Sequence, residues 1–310
     1  MNELENLQQG LQHLDQVLHN MTFEQMRKVL SNNLPRIPIT ITDFDNSPFF
    51  FNQREYGGLN MVYRAARPNT ADGALAKSSH TNEKSLSYAP DEYLHKVGYG
   101  RVNKPKEAIF YGAFDASTAA IEVLHANSDF ISNQSACITV GIWQFKHPLF
   151  LADIPLSKRQ HDVLHKELTS AQGFISKYDE AFFEAQRQNQ LSLGITDLEG
   201  CVLDYISDKF CEYKEGIDHY KISNYYADRA FDRYPDHPMP EGGVEGILYS
   251  SVAGTYQSKC IALLPNAVNS KLAFVGAQLL WVLIKDGKFQ CHQIDKASTD
   301  INGNLHWEKF

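Results

Sequence analysis

The stretch from Gly98 to Asp129, GYGRVNKPKEAIFYGAFDASTAAIEVLHANSD, constrains the fold most, because in it a strand hands over to a helix within a few residues. Ala108 to Phe114 is short, apolar and aromatic, as a strand would be, and Asp115 or Ser117 offers an N-cap for the run TAAIEVLHA. Arg101 precedes the strand, and Glu122 follows the cap by about two turns. A planar guanidinium can grip phosphate through parallel donors, and a carboxylate among Ala, Ile and Val can stabilise positive charge. Together they suggest a site for a phosphate-bearing substrate with a cationic reaction centre. Taken alone, Glu122 is more often an ordinary exposed helix residue.

The 310 residues suffice for a sizeable core in one large or two small domains, and a 43% hydrophobic content places the chain among globular proteins. A net charge of -8 argues against a nucleic-acid surface, which needs a concentrated basic face. The first twenty residues lack the basic and continuous apolar regions of a secretory signal, and no stretch reaches the roughly 20 apolar residues that span a bilayer. The five cysteines, Cys137, Cys201, Cys211, Cys260 and Cys291, show no C-x-x-C spacing. The expectation is reduced thiols in a cytoplasmic protein with no membrane contact.

Leu4, Leu7, Leu11, Leu14 and Leu18 recur at three- and four-residue steps, the pattern of an amphipathic helix, and Thr22 with Gln25 resembles a capping box that starts a second helix through Val29. This helical pair must lie on the rest of the chain, on a partner or on a second copy of the chain; intramolecular packing is the favoured reading. Leu34 to Ile41, with prolines at 35 and 38, reads as an extended linker. Arg67 to Tyr99 is polar with little periodicity and reads as a long surface loop, a candidate lid. Strands are expected at Cys137 to Phe145, Leu149 to Ile154, Gly246 to Tyr249 and Lys259 to Leu264, with a helical insert between Ser157 and Tyr225. Gln278 to Ile284 and Lys288 to Ile294, joined by Asp286-Gly287, predict a terminal hairpin.

Three features are decoys. His161 and His165 lie one helical turn apart as in zinc helices, but aspartate stands where the general base would be and no third ligand is evident. Gly98-Tyr99-Gly100 lacks the third glycine of a dinucleotide fingerprint. Neither a G-x-S-x-G elbow nor a phosphate-binding P-loop is present.

Four separated blocks, in order and spacing, resemble the RES domain, a family named for its arginine, glutamate and serine. They are Val62-Tyr63-Arg64-Ala65-Ala66-Arg67-Pro68, then Gly100-Arg101-Val102-Asn103, then Phe110-Tyr111 with Thr118-Ala119-Ala120-Ile121-Glu122, then Glu245-Gly246-Ile247-Leu248-Tyr249-Ser250-Ser251. Where the family usually has a glycine three residues after the asparagine, this chain has Lys106, and where it has proline before the serine, this chain has Ser250. Anchoring on the tyrosine points to Ser251, with Ser250 as the alternative.

The resemblance implies an α+β fold like that of ADP-ribosyltransferases: a split β-sheet core with flanking helices. The expected boundaries are an N-terminal helical extension over 1–59, a catalytic domain over 60–265 and a C-terminal β-hairpin over 266–310. It also implies a toxin that degrades NAD by hydrolysis or phosphorolysis of the nicotinamide–ribose bond and arrests growth unless neutralised. The alternatives are transfer of ADP-ribose to a protein, and a non-catalytic NAD-binding module. NAD would be the substrate and no metal is expected. The implied partner is an Xre-like antitoxin carrying its own DNA-binding domain. By the same resemblance, Glu122 would sit beneath the ribose, Arg64 and Arg101 would hold the pyrophosphate, and Tyr63 and Tyr111 would stack on nicotinamide or position the ribose. Ser251 or Ser250 would hydrogen-bond the ribose or the strand carrying the site, and Asn103 would fix the loop more than touch substrate.

Overall fold

The computed structural model describes residues 2–34, 37, 39–44, 61–66, 80–125, 135–170, 194–212, 220–231, 243–253, 258–285 and 288–309. Ten strands form one mixed sheet: β1 (Thr40–Phe44), β2 (Met61–Ala66), β3 (Phe110–Ala113), β4 (Ser135–Phe145), β5 (Leu149–Asp153), β6 (Gly246–Ser250), β7 (Lys259–Leu263), β8 (Leu272–Lys285), β9 (Lys288–Thr299) and β10 (Leu305–Lys309). Their spatial order is β1-β5-β6-β7-β3-β2-β4-β8-β9-β10, and the β5–β6 pair is parallel. The two halves meet between β3 and β2, where Tyr63 opposite Ala113 is the one registered pair. Elsewhere the ladders are longer, so this junction is a seam. The chain is thus an α+β protein with a split sheet.

Helices cover one face. On it α3 (Ala116–His125), α5 (Asp197–Cys211) and α6 (Tyr220–Phe231) share a core with Ala65, Ala113, Ile138, Val140, Ile247, Tyr249 and Ala262, and α4 (Lys158–Ser170) packs on α5. The helical pair α1 (Glu3–Val17) and α2 (Phe23–Asn33) joins the same cluster through Leu14, Leu18, Met26 and Leu30. Burying side chains of this kind stabilises by roughly 1.5–3 kcal/mol each; of the leucine stripe, Leu11, Leu14 and Leu18 are buried within the chain and Leu4 and Leu7 are half-buried. Thr22 caps α2 as the sequence indicates: its hydroxyl accepts from Gln25 N at 3.2 Å and Gln25 Oε1 accepts from Thr22 N at 2.8 Å. The other face carries a second cluster, with Val62, Phe110, Trp143, Leu149, Leu151 and Leu248 under the short helix α7 (Pro265–Lys271).

Three expectations need correction. Residues 67–79 lie outside the described residues, but 80–99 is no free loop: Leu86 is fully buried, its carbonyl accepts from Trp143 Nε1 at 3.2 Å, and Trp307 Nε1 donates to the His80 carbonyl at 3.0 Å. The segment uses two 3-10 turns, Glu83–Leu86 and Asp91–Lys96, which have too short a period to show as helix or strand. The extended segment after α2 runs into β1, an edge strand antiparallel to β5. The C-terminal hairpin is longer than its apolar runs and gains a third strand, β10, across a turn in which Asp300 Oδ1 accepts from Asn302 N and Asn304 N at 2.8 and 2.9 Å. Its first strand, β8, pairs with β4 along the whole length of β4.

Candidate functional site

Strand β3 turns into α3 through Asp115, which takes the cap in preference to Ser117: Asp115 Oδ1 accepts from Thr118 N at 2.7 Å. Its other oxygen accepts from Ser258 Oγ at 3.0 Å and ties the turn to the segment entering β7. From that anchored start, Glu122 reaches the end of β6. Glu122 Oε1 accepts from Ser251 Oγ at 2.5 Å and from Ala253 N at 3.2 Å. Both bonds go to the same carboxylate oxygen. Ile247 and Tyr249 belong to the helix-covered core and Ser251 continues their side, whereas Ser250 Oγ is buried with no hydrogen-bond partner among the described residues.

Arg101 approaches the same side from a tightly built loop. Asn103 Nδ2 donates to the Gly98 and Lys104 carbonyls at 2.8 and 3.0 Å, Tyr111 Oη donates to Asn103 Oδ1 at 2.8 Å, and Val102 N donates to Tyr111 Oη at 2.9 Å. A Cβ at Gly100 would lie 2.3 Å from Asn103 Oδ1 and 2.7 Å from Tyr111 Oη, so the loop requires glycine there. Asn103 and the Tyr111 hydroxyl are therefore committed to the loop, and burial raises the Tyr111 pKa. Arg101 is buried and donates to the Phe210 carbonyl in the last turn of α5, where helix carbonyls lack intrahelical partners. Burial opposes its charge, but Glu122, followed by Tyr249, Tyr220 and Cys211, outweighs that and leaves its pKa raised.

Lys106, in the position of the family glycine, has φ 70°, the one positive φ at a non-glycine among the described residues. The loop thus keeps the left-handed backbone that glycine adopts freely, with Lys106 N donating to the Val97 carbonyl at 3.0 Å. The left-handed region costs a side-chain-bearing residue about 1–2 kcal/mol, partly offset by the unfolded-state entropy of glycine. Lys106→Gly is expected to raise stability by about 0.5–1 kcal/mol in urea denaturation, and a neutral or destabilised variant would show that the strain is absent.

The structure does not bring Arg64 to Glu122. Tyr63 belongs to the helix-covered core with Tyr111, but Arg64, the next residue of β2, points to the opposite face, its guanidinium 5.7 Å from the centre of the Phe110 ring. Arg64 Nε is buried without a partner among the described residues, and burial lowers the Arg64 pKa to about 10. Tyr63 lies at the seam, its pKa raised by burial and by the charge of Asp115.

Several contributors escape a sequence reading. The Phe210 carbonyl lies 109 positions from Arg101, and Asn224 Nδ2 donates to the Gly100 carbonyl at 2.7 Å from 124 positions away; no local signal marks either. Tyr249 did carry a signal, as the aromatic of the fourth block. Burial pushes the Cys211 thiol up to about 12 and holds Cys260 well above its ordinary value, with the Glu122 charge adding to both, so neither is a thiolate nucleophile. Among the described residues no group of three His, Cys, Asp or Glu could hold a metal ion; His161 is exposed on α4, and the His165 side chain lies outside the described residues. What the arrangement offers is a charge-stabilising cluster: an oriented carboxylate near a buried guanidinium, with tyrosines around them.

Among the described residues no helix is long and apolar enough to cross a membrane. No curated protein and no solved structure matches the chain. The family model for the RES domain matches residues 61–279, from the start of β2 into β8, an interval containing Arg64, Arg101, Glu122, Ser250 and Ser251. The chain belongs to the RES domain family.

Proposed function

We propose that this protein breaks the bond between nicotinamide and ribose in NAD and passes the ADP-ribosyl group to water or phosphate, and that in cells it acts as a growth-arresting toxin. One observation carries the reading: Glu122, fixed through a single oxygen by Ser251 and Ala253, with Arg101 buried on the same side. Nicotinamide in NAD is a cationic ring. When the C1′–N bond breaks, the ring takes the electron pair and leaves neutral, so no proton donor is needed. Positive charge appears on the ribose, and a fixed carboxylate stabilises it more in the transition state than in the ground state. The acceptor oxygen then bonds to C1′ and gives up its proton. Ser251 acts by orienting Glu122 rather than as a nucleophile, since its hydroxyl donates to that carboxylate.

In this reading Arg101 grips the diphosphate, and Arg64, buried on the opposite face of the sheet with an Nε that has no partner among the described residues, stays outside the contact. Tyr63 supplies aromatic surface for the nicotinamide ribosyl end. Incubating the purified full chain with NAD in the presence of a chelator tests the proposal. Free nicotinamide with ADP-ribose or its phosphorylated form is the expected outcome. ADP-ribose appearing on an added protein would instead favour protein modification, and unchanged NAD would leave only a binding module.

A further inference from the structure

The last turn of α5 faces the candidate site on one side and α1 on the other. On the site side, the Phe210 carbonyl accepts from Arg101, the Phe210 ring lies 5.9 Å from that of Tyr249, and Cys211 Sγ donates to the Ser250 carbonyl at 3.5 Å, one residue before Ser251. On the other side, Lys209 forms ion pairs with Asp15 of α1 at 2.8 Å and with Glu212 at 3.0 Å. The Asp15 carboxylate also accepts from Tyr205 Oη at 2.7 Å, and the Lys209 ammonium lies 5.4 Å from the centre of the Tyr205 ring. The Lys209 side chain is only 11% exposed while Asp15 is 38% exposed, so this clamp is shielded from solvent on the Lys209 side alone. Residues 209 and 210 are adjacent on a helix and point about 100° apart, so one turn serves both sides.

We propose that Asp15 is a positioning residue for Arg101, acting through Lys209 and the last turn of α5, so that α1 sets substrate affinity without touching substrate. This rests on Arg101 being the diphosphate-binding arginine of an NAD-cleaving site. An interaction made equally in ground and transition states appears in KM, so losing the clamp should raise KM and spare kcat. In the full chain, Asp15→Asn and Lys209→Met are each expected to raise KM for NAD five- to tenfold with kcat within twofold of the parent. Asp15→Glu should restore the parent value, and the double variant should be no worse than either single one. Leu11→Ala, which loosens the buried face of α1 elsewhere, is the control: it should lower Tm at least as much and leave KM unchanged. An unchanged KM in the clamp variants, an additive double variant, or an equal KM rise in Leu11→Ala would overturn the proposal.

Hydrogen exchange of the NAD-free protein gives an arm that does not depend on turnover. The amides of Arg101 to Asn103 should exchange several-fold faster in Asp15→Asn and at the parent rate in Leu11→Ala. If the parent fails to consume NAD, the proposed function falls and this arm alone decides whether α1 positions Arg101; unchanged exchange at 101–103 overturns that positioning.

Discussion

Glu122→Gln is expected to lower the rate of NAD cleavage by about 10²–10³-fold while NAD binding changes little. The amide keeps the size of the side chain, and its oxygen can still accept from Ser251 Oγ and Ala253 N as Glu122 Oε1 does. What it removes is the negative charge. A group aimed at developing charge in a water-poor site is typically worth about 3–4 kcal/mol, which sets the size of the loss. The bound NAD has not yet developed charge on the ribose carbon, so the dissociation constant from calorimetry should stay within a few-fold. Stability should fall, because the Glu122 charge that offsets the burial of the Arg101 guanidinium is removed although no accepted hydrogen bond is lost. In cells the parent should deplete NAD and arrest growth, and the glutamine variant should be tolerated. A Glu122→Gln protein that consumes NAD at the parent rate would remove Glu122 from the chemistry and most of the case for this mechanism.

The parts of the site that are local in sequence were legible there, and the parts made by long-range contact were not. The strand-to-helix turn at Asp115 and the position of Glu122 follow from apolar runs and a cap within fifteen residues. The choice of Ser251 over Ser250 was latent in strand alternation, since Tyr249 and Ser251 must share a side, but choosing needed the side that α3 covers. The same alternation separates Arg64 from Tyr63, and hence from Arg101, although motif order alone makes the two arginines look equivalent. Lys106 shows the reverse case: its side chain departs from the family pattern while its backbone keeps the left-handed conformation. Residues 80–99 misled because their order comes from one buried leucine and indole hydrogen bonds to two carbonyls, which leave no periodic trace.

Arg101→Lys should impair both NAD use and stability, and Arg64→Lys should spare both. Each variant keeps a positive charge but loses the planar fork that matches phosphate. A hydrogen bond to a charged group is worth about 1.5–3 kcal/mol, so kcat/KM should fall roughly tenfold to a hundredfold in Arg101→Lys and stay near the parent value in Arg64→Lys, whose guanidinium lies on the face away from Glu122. The two guanidiniums differ in what else they hold. Arg101 is buried and satisfies the Phe210 carbonyl at the end of α5; a shorter ammonium leaves that buried acceptor unpaired, at a cost of about 1–3 kcal/mol of folding stability. Arg64 has a buried Nε with no partner among the described residues and a pKa that burial has already lowered, so replacing it forfeits no strong intramolecular bond. Its stability should stay within about 0.5 kcal/mol of the parent. Urea denaturation and NAD kinetics on the two purified variants read both quantities. A tenfold or larger loss of kcat/KM in Arg64→Lys would bring the far face of the seam into the site. An Arg101→Lys protein with parent stability would show that the α5 carbonyl does not depend on the guanidinium, and would take away the link between α1 and the site.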